Sequence, residues 1–76
     1  MTETEFMKKF GENLKNVLED SLMSPAELAK DANISRSTIS YYINGERMPT
    51  VKNLINIVYA TGCNFEDLFD YDVKII

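Results

Sequence analysis

Arg36, Ser37, Ser40 and Tyr41 fall on one side of a short segment whose other side holds Ile39, Tyr42 and Ile43. At helical spacing the apolar set turns to a core and the polar set is left outward. The chemistry available to the outward set is recognition. The Arg36 guanidinium is a planar fork of donors that matches two acceptors at once, either O6 and N7 of a guanine edge or two oxygens of a phosphate. The Ser37 and Ser40 hydroxyls donate or accept with little discrimination. Tyr41 adds a hydroxyl and a flat ring suited to a thymine methyl. A catalytic constellation cannot be assembled: the chain has no histidine, its single cysteine is Cys63, and no glycine-rich phosphate loop is present. Neither a zinc cluster nor an internal disulfide is open to it, and no cofactor, metal or small-molecule ligand is expected.

A reader of base edges needs a helix held rigidly from behind, and the flanking residues supply one. Ser24 and Glu27 form a capping box, and Pro25 occupies the first helical position, where its missing N–H costs nothing. The helix they start runs over 25–32 and buries Leu28, Ala29 and Ala32, with a small residue at Ala29 because the next helix crosses closely there. Asn33 sits at the sharp turn, in the left-handed conformation that asparagine tolerates. Ser35 caps a second helix over 36–44, anchored by Ile34, Ile39, Tyr42 and Ile43, and Gly45 suits its left-handed end. Residues 24–45 therefore read as a helix-turn-helix.

Around this motif the periodicity predicts three further helices. The first spans 3–21, with Phe6, Phe10, Leu14, Val17, Leu18 and Ser21 in one stripe. After a loop over 46–49, Thr50 caps a helix over 51–61 with Val51, Leu54, Ile55, Ile57 and Val58 inward, ended by Gly62. Asn64 and Asp67 start a short fifth helix that buries Phe65, Leu68 and Phe69. The tail, 70–76, alternates polar and apolar residues like a strand. The expectation is an all-α, compact five-helix domain over 1–69, followed by a short extended tail.

A net charge of −4 lacks the basic footprint of a nucleic-acid binder. Its distribution is less hostile. Residues 24–52 carry Lys30, Arg36, Arg47 and Lys52 against Glu27, Asp31 and Glu46, or +1, while 1–23 sum to −2 and 53–76 to −3. The acidic excess lies at the ends, where it can face away from a polyanion. No signal peptide or membrane-spanning run is present, which points to the cytoplasm.

Four segments together resemble the Cro/C1-type, or xenobiotic-response-element, family of helix-turn-helix regulators: Met23-Ser24-x-x-Glu27-Leu28-Ala29, Ile34 to Ser40, Asn44 to Thr50, and Gly62 to Phe69. The likeness runs from about Phe10 to Phe69 and implies a lambda-repressor-like fold and a repressor that reads a pseudo-palindromic double-stranded DNA operator as a homodimer. It implies base contacts at Arg36, Ser37 and Tyr41, beside Ser40, and phosphate contacts at Ser35, Asn44, Arg47 and Thr50. Ser24, the hydroxyl at the start of the preceding helix, is expected to join the phosphate set. The chain departs from the family in three places. Pro25 replaces a glutamine whose amide holds the DNA backbone. Leu18 and Ile43 replace an arginine–glutamate pair, and Asn33 replaces a glycine.

Plainer roles compete at several positions. Tyr42 belongs to the core by helical phase, and Cys63 fills an apolar slot. Arg47 and Lys52 divide evenly between phosphate contact and solvated charge. Asp67, Asp70 and Asp72 form a helix-start charge and a solvated tail rather than a cation site. Tyr71, Val73, Ile75 and Ile76 either pack back on the domain or form a dimer seam. The alternative function is a protein-interaction module of the same fold, antitoxin-like or antirepressor, with little DNA binding.

Overall fold

Each α-helix opens on a hydroxyl. In the computed structural model, which describes residues 1–69 and 74–76, Thr2, Ser24, Ser35 and Thr50 precede α1 (Glu3–Asp20), α2 (Pro25–Ala32), α3 (Arg36–Ile43) and α4 (Val51–Thr61). Each side-chain oxygen accepts from the backbone N–H three residues on, at Glu5, Glu27, Thr38 and Asn53. Thr2 with Glu5 and Ser24 with Glu27 close full capping boxes.

The helix ends are equally uniform, each followed by a left-handed residue: Leu22 (φ 53°), Asn33 (φ 54°), Gly45 (φ 72°) and Gly62 (φ 72°). After α1, Leu22 N–H donates to the Glu19 carbonyl at 3.2 Å and Met23 N–H to Leu18 at 3.0 Å. Asn33 and Ile34 repeat the pair onto Lys30 and Ala29, and Gly45 and Glu46 onto Tyr42 and Tyr41. This paired closure satisfies carbonyls the helix leaves unbonded. Gly62 closes α4 with one bond to Val58 at 2.8 Å.

The elements pack α1 on α3 and α2 against both α3 and α4. The buried core joins Phe6, Phe10, Leu14, Val17 and Leu18 of α1 to Leu28, Ala29 and Ala32 of α2, with Ile34, Ile39, Tyr42, Ile57 and Leu68. Helices α1 and α3 approach closely at Gly11, where an added Cβ would lie 2.5 Å from the Ile43 carbonyl oxygen and 2.6 Å from that of Tyr42. Glycine inside a helix costs about 1 kcal/mol relative to alanine. Here the missing side chain is what lets the end of α3 lie on α1. Three asparagine amides tie elements together: Asn13 Nδ2 donates to the Leu68 carbonyl (3.0 Å), Asn53 Nδ2 to the Tyr42 hydroxyl (2.8 Å), and Asn56 Nδ2 to the Ala32 carbonyl (3.2 Å).

The fold is all-α, and the expected helix-turn-helix spans 25–43. Several details differ from the sequence reading. The fifth helix is a single 3₁₀ turn, Phe65–Asp67, so the α-helices number four among the described residues. Its closing bonds, Asp67 N–H to Asn64 and Leu68 N–H to Phe65, span three residues, and only Leu68 is fully buried while Phe65 stays exposed. Ser21 and Asn44 cap their helices from outside, and Ser21 is exposed rather than part of the stripe. Along α4, Val51 is 72 % and Ile55 48 % exposed; with Tyr59 at 89 % they form a second, outward stripe, separate from Leu54, Ile57 and Val58, which pack on the core. Ile43 and Cys63 are half-buried against the core. Of the tail, Asp70, Tyr71, Asp72 and Val73 lie outside the described residues. Lys74–Ile76 form no strand, but the Met1 ammonium donates to the Lys74 carbonyl (2.7 Å) and Ile76 N–H to that of Met1 (3.0 Å). The Ile76 side chain is left exposed.

Candidate nucleic-acid interface

Ser35 starts the site. Its hydroxyl accepts from Thr38 N–H at 3.1 Å and donates to the Thr38 hydroxyl at 2.8 Å, which fixes the first turn of α3. Ile39, wholly buried, and Tyr42, nearly so, then hold the helix from behind. The opposite face is left outward: Arg36, Ser37, Ser40, Tyr41, Asn44 and Glu46 line a shallow, open depression of about 340 Å³. The four residues expected to read bases, and Asn44 from the phosphate set, therefore come together. Tyr41 is the one half-buried member of the expected base-reading set. Its ring is covered by Arg47, whose guanidinium carbon lies 3.9 Å from the ring centroid. Arg47 thus joins the site through Tyr41.

Ser24, Ser35 and Thr50 stand apart from the depression, one at the start of each of α2, α3 and α4. Their hydroxyl protons differ in availability. Among the described residues those of Ser24 and Thr50 meet no acceptor while the oxygen caps the helix, whereas Ser35 gives its proton to Thr38. Local charge differs as well. The first turns of α3 and α4 hold no acidic residue, so their dipole ends and unpaired N–H groups are uncompensated and suit an anion. The start of α2 carries Glu27, whose carboxylate accepts from Ser24 N–H at 3.1 Å, and Pro25, which has no N–H to give. Of the three helix starts, that of α2 is least suited to a phosphate.

Sequence reasoning passed over Glu46, which brings a carboxylate to the rim of the depression. Its position after Gly45 was the available signal: Glu46 N–H closes α3 on Tyr41, so its side chain leaves from the same edge. It also treated Tyr41 and Arg47 separately, since a contact across the helix end has no spacing rule.

Residues 14–68 match the helix-turn-helix family. A comparison with curated protein sequences finds no match. Among solved structures, the chain is similar to the restriction-modification controller protein C.AhdI from Aeromonas hydrophila, with 24% identity over 83% of this chain and 96% of that one and a TM-score of 0.78. At that identity the likeness speaks for the fold. With the family pattern covering most of the sequence and the motif placed as described, the chain belongs to the Cro/C1-type, xenobiotic-response-element family of helix-turn-helix transcriptional regulators.

Proposed function

We propose that the chain binds double-stranded DNA site-specifically, with α3 in the major groove and the domain formed by residues 1–69. The observation that carries this reading is the single outward face of α3, where Arg36, Ser37 and Ser40 stand together; the first turns of α3 and α4 hold no acidic residue to oppose an anion. Arg36, in the first turn, reaches furthest into the groove and forks to a guanine edge; the serines add weaker polar contacts. Asn44, Arg47, Ser35 and Thr50 approach phosphates, and Ser24 does so least. A pseudo-palindromic operator then calls for two copies whose α3 helices lie about one turn of DNA apart. The exposed α4 stripe is the seam that supports a homodimer, with the tail over 70–76 as a second contributor. Occupancy of an operator that overlaps a promoter is enough to block transcription, so repression, in the cytoplasm, is the sense we assign.

The competing role, a protein-binding module that has given up DNA, is favoured by the net charge of −4, by Pro25 and by the carboxylate of Glu46. Gel-shift titration against the promoter beside its own gene, and against generic duplex at low salt, separates the two. DNA binding predicts a shift with both, stronger with the promoter. Arg36→Ala is then expected to weaken the promoter complex by about 1–3 kcal/mol and leave generic binding little changed. No shift with either duplex would hand the role to protein binding.

A further inference from the structure

Resting on the DNA-binding reading above, we infer that Tyr41 is a positioning residue for Arg47 rather than a reader of bases, the two forming one contact unit at the downstream end of the recognition helix. Tyr41 lies near the end of α3, and its carbonyl accepts from Glu46 N–H at 2.8 Å. That bond, with Gly45 in the left-handed region, folds the chain back over the helix end and brings Arg47 above the Tyr41 ring. At 3.9 Å from the centroid the guanidinium carbon lies over the ring face, within the range of cation–π attraction. A cation held over a ring face spends none of its N–H donors on that contact.

Among the described residues Arg47 has no hydrogen bond or ion pair, so its five donors remain available. A loop arginine normally gives up its rotamer freedom when it binds an anion; one already laid on a ring has given up part of that freedom beforehand. The ring face that holds Arg47 is also closed to a thymine methyl. Tyr41 therefore acts on DNA through the cation it carries. The ligand of the unit is a backbone phosphate next to the bases met by Arg36, and the contact is the same for every sequence.

The test is a double-mutant cycle, read by fluorescence anisotropy on a labelled duplex taken from upstream of its own gene. Arg47→Ala and Tyr41→Leu are each expected to lower affinity about five- to tenfold, and the double variant no further than either alone. Tyr41→Phe, which keeps the ring, should restore what leucine removes. The slope of log K against log salt should fall by about 0.9 in Arg47→Ala, because one phosphate is no longer neutralised, and should fall in Tyr41→Leu as well. Affinity losses that multiply in the double variant, or a full salt slope in Tyr41→Leu, would overturn the inference and leave DNA binding intact. A DNA-free readout stands beside these. Ring-current shifts on the Arg47 side-chain protons should be present in the wild type and Tyr41→Phe and absent in Tyr41→Leu; their absence in the wild type also overturns it. Failure of the wild type to bind any duplex at low salt refutes the DNA-binding reading itself, and the inference with it.

Discussion

Glu5 is held below its ordinary value of 4.5, first by the hydrogen bond from Thr2 N–H and then by that from the Thr2 hydroxyl. Both bonds favour the ionised carboxylate. A group whose folded pKa is depressed adds stability that is fully present above its ordinary value and is lost as pH falls through the depressed one. The start of α1 should therefore loosen on the acid side of 4.5. Thr2→Val removes the hydroxyl and keeps the backbone donor, so the Glu5 pKa, followed by NMR titration, is expected to rise only part of the way toward 4.5. The Thr2–Glu5 pair was legible in the sequence, since its spacing repeats that of Ser24 and Glu27, yet only the second was singled out. Gly11 was not legible. Nothing about a glycine in a helical stripe reveals that two carbonyls of another helix lie against it.

At the scale of elements, helix starts and stops were the most readable features, because caps and left-handed ends are decided by residues adjacent in sequence. Asn33, Gly45 and Gly62 all take the conformations their types suggest. Leu22 is the exception, a branched apolar residue at φ 53° with its side chain 92 % exposed. The left-handed conformation costs such a residue about 1–2 kcal/mol. Replacing it sacrifices little packing, so Leu22→Asn is expected to stabilise the protein by about 1 kcal/mol, raising the thermal midpoint by about 4–8 °C. An unchanged or lower midpoint would show that the leucine makes contacts that outweigh its strain. The phase of α4 was the least readable part. Its residues are apolar nearly all round, so periodicity could not choose between the Leu54, Ile57 and Val58 face and the Val51, Ile55 and Tyr59 face; contact with α2 makes that choice.

For the whole molecule, the uneven charge along the chain finds its use in the proposed complex. An acidic protein approaches DNA with the one stretch whose balance is positive, and α4 carries a single charge, Lys52, beside its apolar stripe. A self-associating face benefits from that neutrality, because a twofold contact sets one patch against a copy of itself and so brings like charges together. Three side chains make a small seam, well below the roughly 800 Å² per partner of a stable complex. The proposed dimer should therefore be weak in solution and strengthened by the operator. Sedimentation equilibrium is expected to show a concentration-dependent mass for the wild type and a monomer for Tyr59→Asp, with the far-UV spectrum unchanged in a residue so exposed. A Tyr59→Asp protein that still dimerises would move the seam to the tail.

The helix α3 is only eight residues long. A peptide of that length does not hold a helix by itself in water, so the proposed reading face exists only while Ile39 and Tyr42 stay buried behind it. Loss-of-function screens on this protein should accordingly recover substitutions at Phe10, Leu14 and Leu28 alongside those at Arg36. Protease resistance, measured in parallel, sorts the first kind from the second. If α3 reads DNA as proposed, the outward residues of α3 are free to change operator preference, while the inward ones are fixed by the need to have a helix at all.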